Sequence, residues 1–363
     1  MPDAPTAQLS GRLTGPVEII GTGLLGTSIA LACRQAGLDV LLTDASAEHV
    51  RTATGLGAGR PRVPADRPQL VVVAVPPAFL GRVIGDALAA DPEAIVTDVG
   101  SVKGAPLAEV SVLSGAERYV GGHPMAGSER SGPLAASATL FDGRPWAVTP
   151  HVGSLPDGVV LVEELALLCG AVPLRMDPDE HDRAVARTSH VPHLMACLVA
   201  GRLADAPPGH VALSGQGVRD VTRVAAGDPE LYSQIVTGNA TAVVDLLGEV
   251  RGQLDQLIDA LTVGDRGTLT ELLQRGQKGT QEIPGKHGGP VSPMVAVFVE
   301  VADEPGGLAR LFSDAGASEV NIEDVRIEHE MGRPAGVVEL VVAEQWAEQL
   351  RTTLESRGWV VHR

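Results

Sequence analysis

Over residues 17 to about 175, short β-branched runs alternate with Ala- and Leu-rich stretches. VEII (17–20), VLLT (40–43), LVVVAV (70–75), AIVTDV (94–99) and, less sharply, WAVTP (146–150) read as strands, with helices between them. Strands that are apolar without alternation are buried on both faces, so this pattern predicts a parallel sheet with helices above and below it, an α/β domain. Beyond Asp177 the apolar period lengthens to that of helices, punctuated at Pro207-Pro208-Gly209 and Asp228-Pro229, and no strand recurs until about residue 293. That middle stretch predicts an all-α domain. IPGKHGGP (283–290) is dense in Gly and Pro and predicts a linker. After it come strand-like PMVAVFVEV, a turn at DEPGG, a helix, strand-like VNIEDVRIEH and AGVVELVVA, a last helix and GWVVH. The order βαββαβ in about seventy residues is that of a small ferredoxin-like domain. The boundaries expected are 15–176, 177–282, a linker at 283–292, and 293–363.

A length of 363 residues suits several cores rather than one. The net charge of −17 repels nucleic acid and anionic lipid at long range, so any anionic ligand must meet local positive charge. Aromatics at 2% leave few platforms for stacking bases. Lysine occurs only at 103, 278 and 286, so Arg supplies most of the cations. Cys33, Cys169 and Cys197 are widely spaced in apolar runs and read as buried hydrophobes in a reducing compartment. With neither a leader-like N-terminus nor an apolar run of spanning length, a cytoplasmic protein is expected.

Gly21-Thr22-Gly23-Leu24-Leu25-Gly26 follows the first strand directly and opens a helix from Thr27 to Gln35. This is the context the dinucleotide fingerprint requires: a tight turn, a close approach of pyrophosphate to backbone, and close packing of helix on strand. Asp44 ends the second strand, where a carboxylate accepts from both ribose hydroxyls and repels a 2′-phosphate. With Ala45 and Ser46 beside it and no Arg, NAD is favoured over NADP. Pro76-Pro77 stops the third strand at the sheet's carboxyl edge, and Pro76 is expected to border the nicotinamide ribose.

Three polar clusters carry the candidate chemistry: Asp98 to Lys103, Gly121-Gly122-His123-Pro124-Met125-Ala126-Gly127-Ser128-Glu129, and Glu180-His181-Asp182 through Ser189-His190-Val191-Pro192-His193. Each alone is compatible with a cap, a turn or a polar helix face. Together with the Gly21–Gly26 loop and Arg219-Asp220-Val221-Thr222-Arg223 they resemble the prephenate and arogenate dehydrogenases, from that loop to about residue 282. The resemblance implies a Rossmann domain, a helical domain forming an intertwined homodimer, and NAD-dependent oxidative decarboxylation of prephenate to 4-hydroxyphenylpyruvate, or of arogenate to tyrosine. Such a reaction needs an acceptor for the ring hydroxyl's proton, and the neutral imidazole of His123 suits it near neutral pH. The match also implies that Ser101 orients His123, that Arg223 binds a substrate carboxylate with Asp220 and Glu129 nearby, and that His193 contacts the substrate side chain. Tyr232 stands where the family lines its pocket with an aromatic, whereas His190 is expected to pack or cap. No metal is implied.

Residues 293–363 resemble an ACT domain, with the Asp303-Glu304-Pro305-Gly306-Gly307-Leu308 turn after its first strand and Asn321-Ile322 starting its second. Gly306 and Asn321 are thereby candidate effector contacts, with tyrosine the implied effector. Two rivals remain. A β-hydroxyacid dehydrogenase needs a catalytic Lys on the helical domain, and residues 177–277 contain none. A non-catalytic NAD or amino-acid sensor would use the same folds without turnover.

Overall fold

In a computed structural model, residues 11–127, 130–283, 293–328 and 335–362 are described. Two compact units divide the chain, Met1–Leu254 and Asp255–Arg363.

The first unit opens with β1 (Val17–Ile20), α1 (Leu24–Gln35), β2 (Val40–Thr43), α2 (Ala47–Gly55), β3 (Arg60–Pro61) and β4 (Leu70–Val73). It continues with α3 (Leu80–Ala90), β5 (Ile95–Asp98), α4 (Gly104–Val110), β6 (Tyr119–Pro124), β7 (Pro145–Thr149), α5 (Pro156–Leu168) and β8 (Val172–Arg175). The strands form one sheet in the order β3-β2-β1-β4-β5-β6-β7-β8. Strand β4 shows why the sheet needs two helical layers. Leu70 and Val72 enter a core with Ile29 and Cys33 of α1 and Val162 and Leu165 of α5, while Val71 and Val73 enter another with Ile84 and Leu88 of α3. Alternate side chains of one strand therefore bury on opposite faces, as expected for a fully covered parallel sheet.

The sheet departs from the predicted pattern at one end. β7 runs antiparallel to β6, and β8 runs parallel to β7. β6 is a strand the hydrophobic pattern does not announce, because its sequence, YVGGHP, carries two glycines and a proline.

The helices that follow are α6 (Pro178–Val185), α7 (Val191–Ala204), α8 (Pro208–Val211), α9 (Gln216–Thr222), α10 (Pro229–Gly238), α11 (Ala240–Val263) and α12 (Arg266–Gln281). The expected all-α stretch is present. The breaks in its pattern are helix starts: Asp177 accepts the Asp179 N–H, and Asp228 accepts those of Glu230 and Leu231, each followed by Pro at the first helical position. A single π turn, Ala186–His190, joins α6 to α7. Val191, Leu194 and Met195 pack on Val243, Leu246 and Leu247 of α11. Leu198 of α7 and Leu254, Ile258 and Leu261 of α11 remain exposed.

The second unit contains β9 (Met294–Ala302), α13 (Gly307–Gly316), β10 (Asp324–Glu328), β11 (Ala335–Ala343), α14 (Glu344–Ser356) and β12 (Val361–His362). Its antiparallel sheet runs β10-β11-β9-β12, so the predicted βαββαβ order closes into a split βαβ arrangement. Val297, Val299, Val338 and Leu340 of the sheet bury against Leu311 of α13 and Leu350 and Leu354 of α14. Asn321 precedes β10 instead of starting it. Its amide donates to Glu323 Oε1 at 2.7 Å, a local bond that competes with strand pairing. The predicted linker residues 284–292 lie outside the described residues.

Candidate active site

The loop from β1 to α1 sits at the carboxyl edge of the sheet. Gly21 holds φ +100°, and a Cβ there would strike the Ala74 carbonyl; a Cβ on Gly26 would strike the carbonyl of Gly21. Both glycines are required by the chain's own packing. Gly23 differs: a Cβ there meets nothing within 4 Å, which leaves the backbone open to a ligand. The start of α1 has no side-chain cap, so its first amides remain available to an anion. Leu25 packs into the core behind the loop.

The Thr22 N–H and hydroxyl donate to Asp44 Oδ2 at 2.6 and 2.9 Å, and the Ser46 N–H donates to Oδ1 at 2.7 Å. These bonds fix the carboxylate at the tip of β2, and an acceptor-only group with spare lone pairs suits ribose hydroxyls. The residues therefore fit NAD. After Pro76 the chain makes a short 3₁₀ turn, Pro77–Phe79, where the Ala78 N–H donates to Gln234 Oε1 of α10 at 3.4 Å.

His123 stands near the end of β6, partly accessible. Its Nδ1 lies 2.8 Å from His181 Nε2, and His181 Nδ1 lies 2.8 Å from Asp182 Oδ1. Asp182 also accepts the backbone N–H groups of Lys103 at 2.9 Å and Gly104 at 2.8 Å, while its own carbonyl accepts from Asn239 Nδ2 at 2.7 Å. Behind this row, Lys103 and Asp98 form a fully buried ion pair. Lys103 Nζ also donates to the Gly122 carbonyl at 2.7 Å, and the Tyr119 hydroxyl donates to Asp98 Oδ1 at 2.9 Å. Burial, then His181, Lys103 and His190, hold the His123 pKa well below its ordinary value, so the imidazole is neutral at physiological pH. Burial works the other way on Asp182, but its hydrogen bonds to His181, Gly104 and Lys103 win and keep its carboxyl below the usual range.

The side chain bonded to His123 Nδ1 is His181, and among the described residues Ser101 makes no hydrogen bond to His123. Asp220 accepts from Gln216 Nε2 at 2.9 Å, one turn earlier on α9. Arg223 begins an exposed 3₁₀ turn, Arg223–Ala226, and among the described residues pairs with no carboxylate. Glu129 lies outside the described residues. His193 and Tyr232 are brought together, their rings stacked with centroids 3.4 Å apart and planes nearly parallel. Gly227 leaves them room, since a Cβ there would stand 2.8 Å from Tyr232. The residues that spacing did not single out are His181, Asp182, Lys103 and Asp98. Their types are visible in the polar clusters, but their partners are 58 to 79 residues away for His181 and Asp182.

His190 is buried, with Nδ1 at 3.1 Å from Asn239 Nδ2, and burial with the nearby His181 and His193 outweighs Asp182 to hold its pKa at about 4. Unfolded His titrates near 6.5, so below that pH the unfolded chain takes up a proton that the folded chain refuses. Stability is complete above pH 6.5 and falls toward pH 4, by about 3 kcal/mol from this residue. Urea melts at pH 7 and pH 4 should show that loss, and His190→Gln should remove it.

A glycine-loop nucleotide fold joined to helices, with a neutral histidine at the sheet's carboxyl edge, defines a nicotinamide-dependent dehydrogenase. The comparisons narrow the class. Residues 29–174 match the prephenate dehydrogenase nucleotide-binding domain, and residues 177–275 match the prephenate dehydrogenase dimerization domain. A protein of Streptomyces niveus named as a probable prephenate dehydrogenase is 37% identical over 94% of this chain and 98% of its own length. The solved prephenate dehydrogenase of A. aeolicus, in complex with hydroxyphenyl propionate and NAD+, superposes with a TM-score of 0.67 at 27% identity, covering 73% of this chain and 97% of that one. The Synechocystis arogenate dehydrogenase gives 0.63 at 25%, covering 73% and 99%. The chain belongs to the prephenate dehydrogenase family and is an NAD-dependent oxidoreductase. Among the described residues, no helix is long and apolar enough to cross a membrane.

Proposed function

We propose that the chain converts prephenate to 4-hydroxyphenylpyruvate in tyrosine biosynthesis. The observation that carries the reading is the neutral His123, engaged through Nδ1 at the carboxyl edge of the sheet that carries the glycine loop. The Gly21–Gly26 loop and Asp44 would hold NAD, which would supply the acceptor for the hydride from C4 of the substrate ring. His123 accepts the proton of the C4 hydroxyl, the C1 carboxylate leaves as carbon dioxide, and the ring becomes aromatic. Arg223 meets a substrate carboxylate, and His193 with Tyr232 lines the pocket; Ser101 and Glu129 complete the set. Arogenate is a second substrate in view of the likeness to an arogenate dehydrogenase.

The domains are a nucleotide-binding domain at 15–176, a helical domain at 177–282 and a regulatory ACT domain at 293–363. A homodimer forms through the helical domain, whose exposed Leu198 and Leu254 supply apolar surface. Tyrosine acts on the ACT domain at the turn where Gly306 holds φ +93°, with Asn321 as a second contact. The test is NADH formation from prephenate and arogenate, with and without tyrosine; turnover of neither substrate by folded, NAD-binding protein sinks the reading in favour of a sensor. Arg223→Leu should raise the KM for prephenate about 10- to 100-fold, the value of a charge-assisted hydrogen bond, with a smaller change in kcat. An unchanged KM in steady-state kinetics would remove Arg223 from the site.

A further inference from the structure

We propose that Asp182 and His181 are positioning residues that fix His123 in its Nδ1–H tautomer and so leave its Nε2 lone pair as the atom that receives the substrate's proton. The inference rests on the proposed role of His123, and the fixed backbone donors at the Asp182 end of the row set its direction. Both Asp182 oxygens accept backbone N–H groups, which can only donate: Oδ1 from Lys103 and Oδ2 from Gly104. The carboxylate is therefore anchored as an acceptor. His181 Nδ1, 2.8 Å from Oδ1, must carry the proton of that bond. A neutral imidazole has one N–H, so His181 Nε2 is left with a lone pair. His123 Nδ1, 2.8 Å from it, must then be the donor, and His123 Nε2 is bare. Asn239 holds the Asp182 backbone from the other side through its carbonyl.

The charges facing His123 fit the same state. His181 and Asp182 approach from α6, Lys103 and Asp98 from β5 and the loop after it, and His190 from the π turn. Lys103 is neutralised by Asp98, and Asp182 is the carboxylate in line with the two rings. When His123 takes the hydroxyl proton at Nε2, its Nδ1–H bond to His181 persists, so no other proton has to move. A second proton on His181 would reverse the row: Nε2 of His181 would donate, and His123 would carry its proton on Nε2, where it cannot act as a base.

The decisive measurement is ¹⁵N NMR of the histidine-labelled holoenzyme, with His123 assigned by the signals lost in His123→Asn. At pH 7.5 the expected spectrum has a protonated Nδ1 and an unprotonated Nε2 for both His123 and His181; the opposite tautomer at His123 overturns the proposal. In kinetics, His181→Leu should lower kcat about 100-fold while KM and NAD affinity stay within about threefold, and the acid limb of the kcat profile should move. His181→Gln, whose Oε1 reaches the place of imidazole Nε2, should recover part of the loss. A wild-type kcat in His181→Leu also overturns it. If that variant fails to fold, the wild-type spectrum decides. Absence of prephenate turnover in the wild type would defeat the function proposed above, whereas the spectrum judges the tautomer independently.

Discussion

His123→Asn should lower NADH formation from prephenate by about 10²- to 10⁴-fold, the usual contribution of a placed acid or base. Asn matches part of the imidazole's volume and can hydrogen-bond, but it cannot take a proton near neutral pH. What remains is the binding of substrate and NAD. NAD affinity should be unchanged in a fluorescence titration, because the glycine loop and Asp44 directly follow β1 and β2 and their bonds do not involve β6. The wild-type rate should also persist as the pH drops below 6.5. Burial, His181, Lys103 and His190 disfavour the imidazolium, so protonation that would disable the base comes only at lower pH. A His123→Asn variant with near-native kcat would remove His123 from the chemistry.

The second large effect is on stability. Lys103→Met should destabilise the protein by about 3–5 kcal/mol, the cost of stranding one charge of a buried pair. Lys103 and Asp98 are both fully buried. Without the amine, Asp98 keeps the Tyr119 hydroxyl and the Gly100 and Gly122 N–H groups at 2.9, 2.9 and 3.3 Å, but it loses its counter-charge. Burial already pulls the Lys103 pKa below its ordinary value, and Asp98 only partly opposes it. The double variant Lys103→Met, Asp98→Asn should recover much of the loss, since it removes both charges. Urea denaturation of the two single variants and the double variant measures this. A loss under about 1 kcal/mol for Lys103→Met would show that the pair does not hold β5 and β6 together.

The parts of this molecule that were legible in sequence are those where burial and periodicity agree. The runs at 17–20 and 40–43 become strands at the same residues because three of the four positions in each are apolar and the runs are covered on both faces. The glycine loop is legible because two of its glycines are demanded by neighbouring backbone. β6 was hidden for a related reason. A Cβ on Gly122 would stand 2.7 Å from the Asp98 carbonyl oxygen, so the packing that places His123 also removes the side chains that would mark a strand. The His123–His181–Asp182 row was out of reach because it joins residues far apart along the chain, and nothing local in either segment requires the other. Within α9 the Asp220 carboxylate accepts from Gln216 one turn earlier, a local bond that the sequence motif alone does not announce.

The π turn at Ala186–His190 is, in effect, one residue inserted into a helix that would otherwise run unbroken from α6 into α7. Each residue of an α-helix advances the screw by about 100°. A chain shorter by one residue at that turn would keep its helix and its hydrogen bonds, yet rotate α7 against α6 by that angle. His193 would swing off Tyr232 and Leu198 would turn to a new bearing, while His181 stayed beside His123. The His193–Tyr232 stack and the His181 contact to His123 are thus carried by two segments of one rod whose phase is set by a single extra residue, so the first can be re-indexed without disturbing the second.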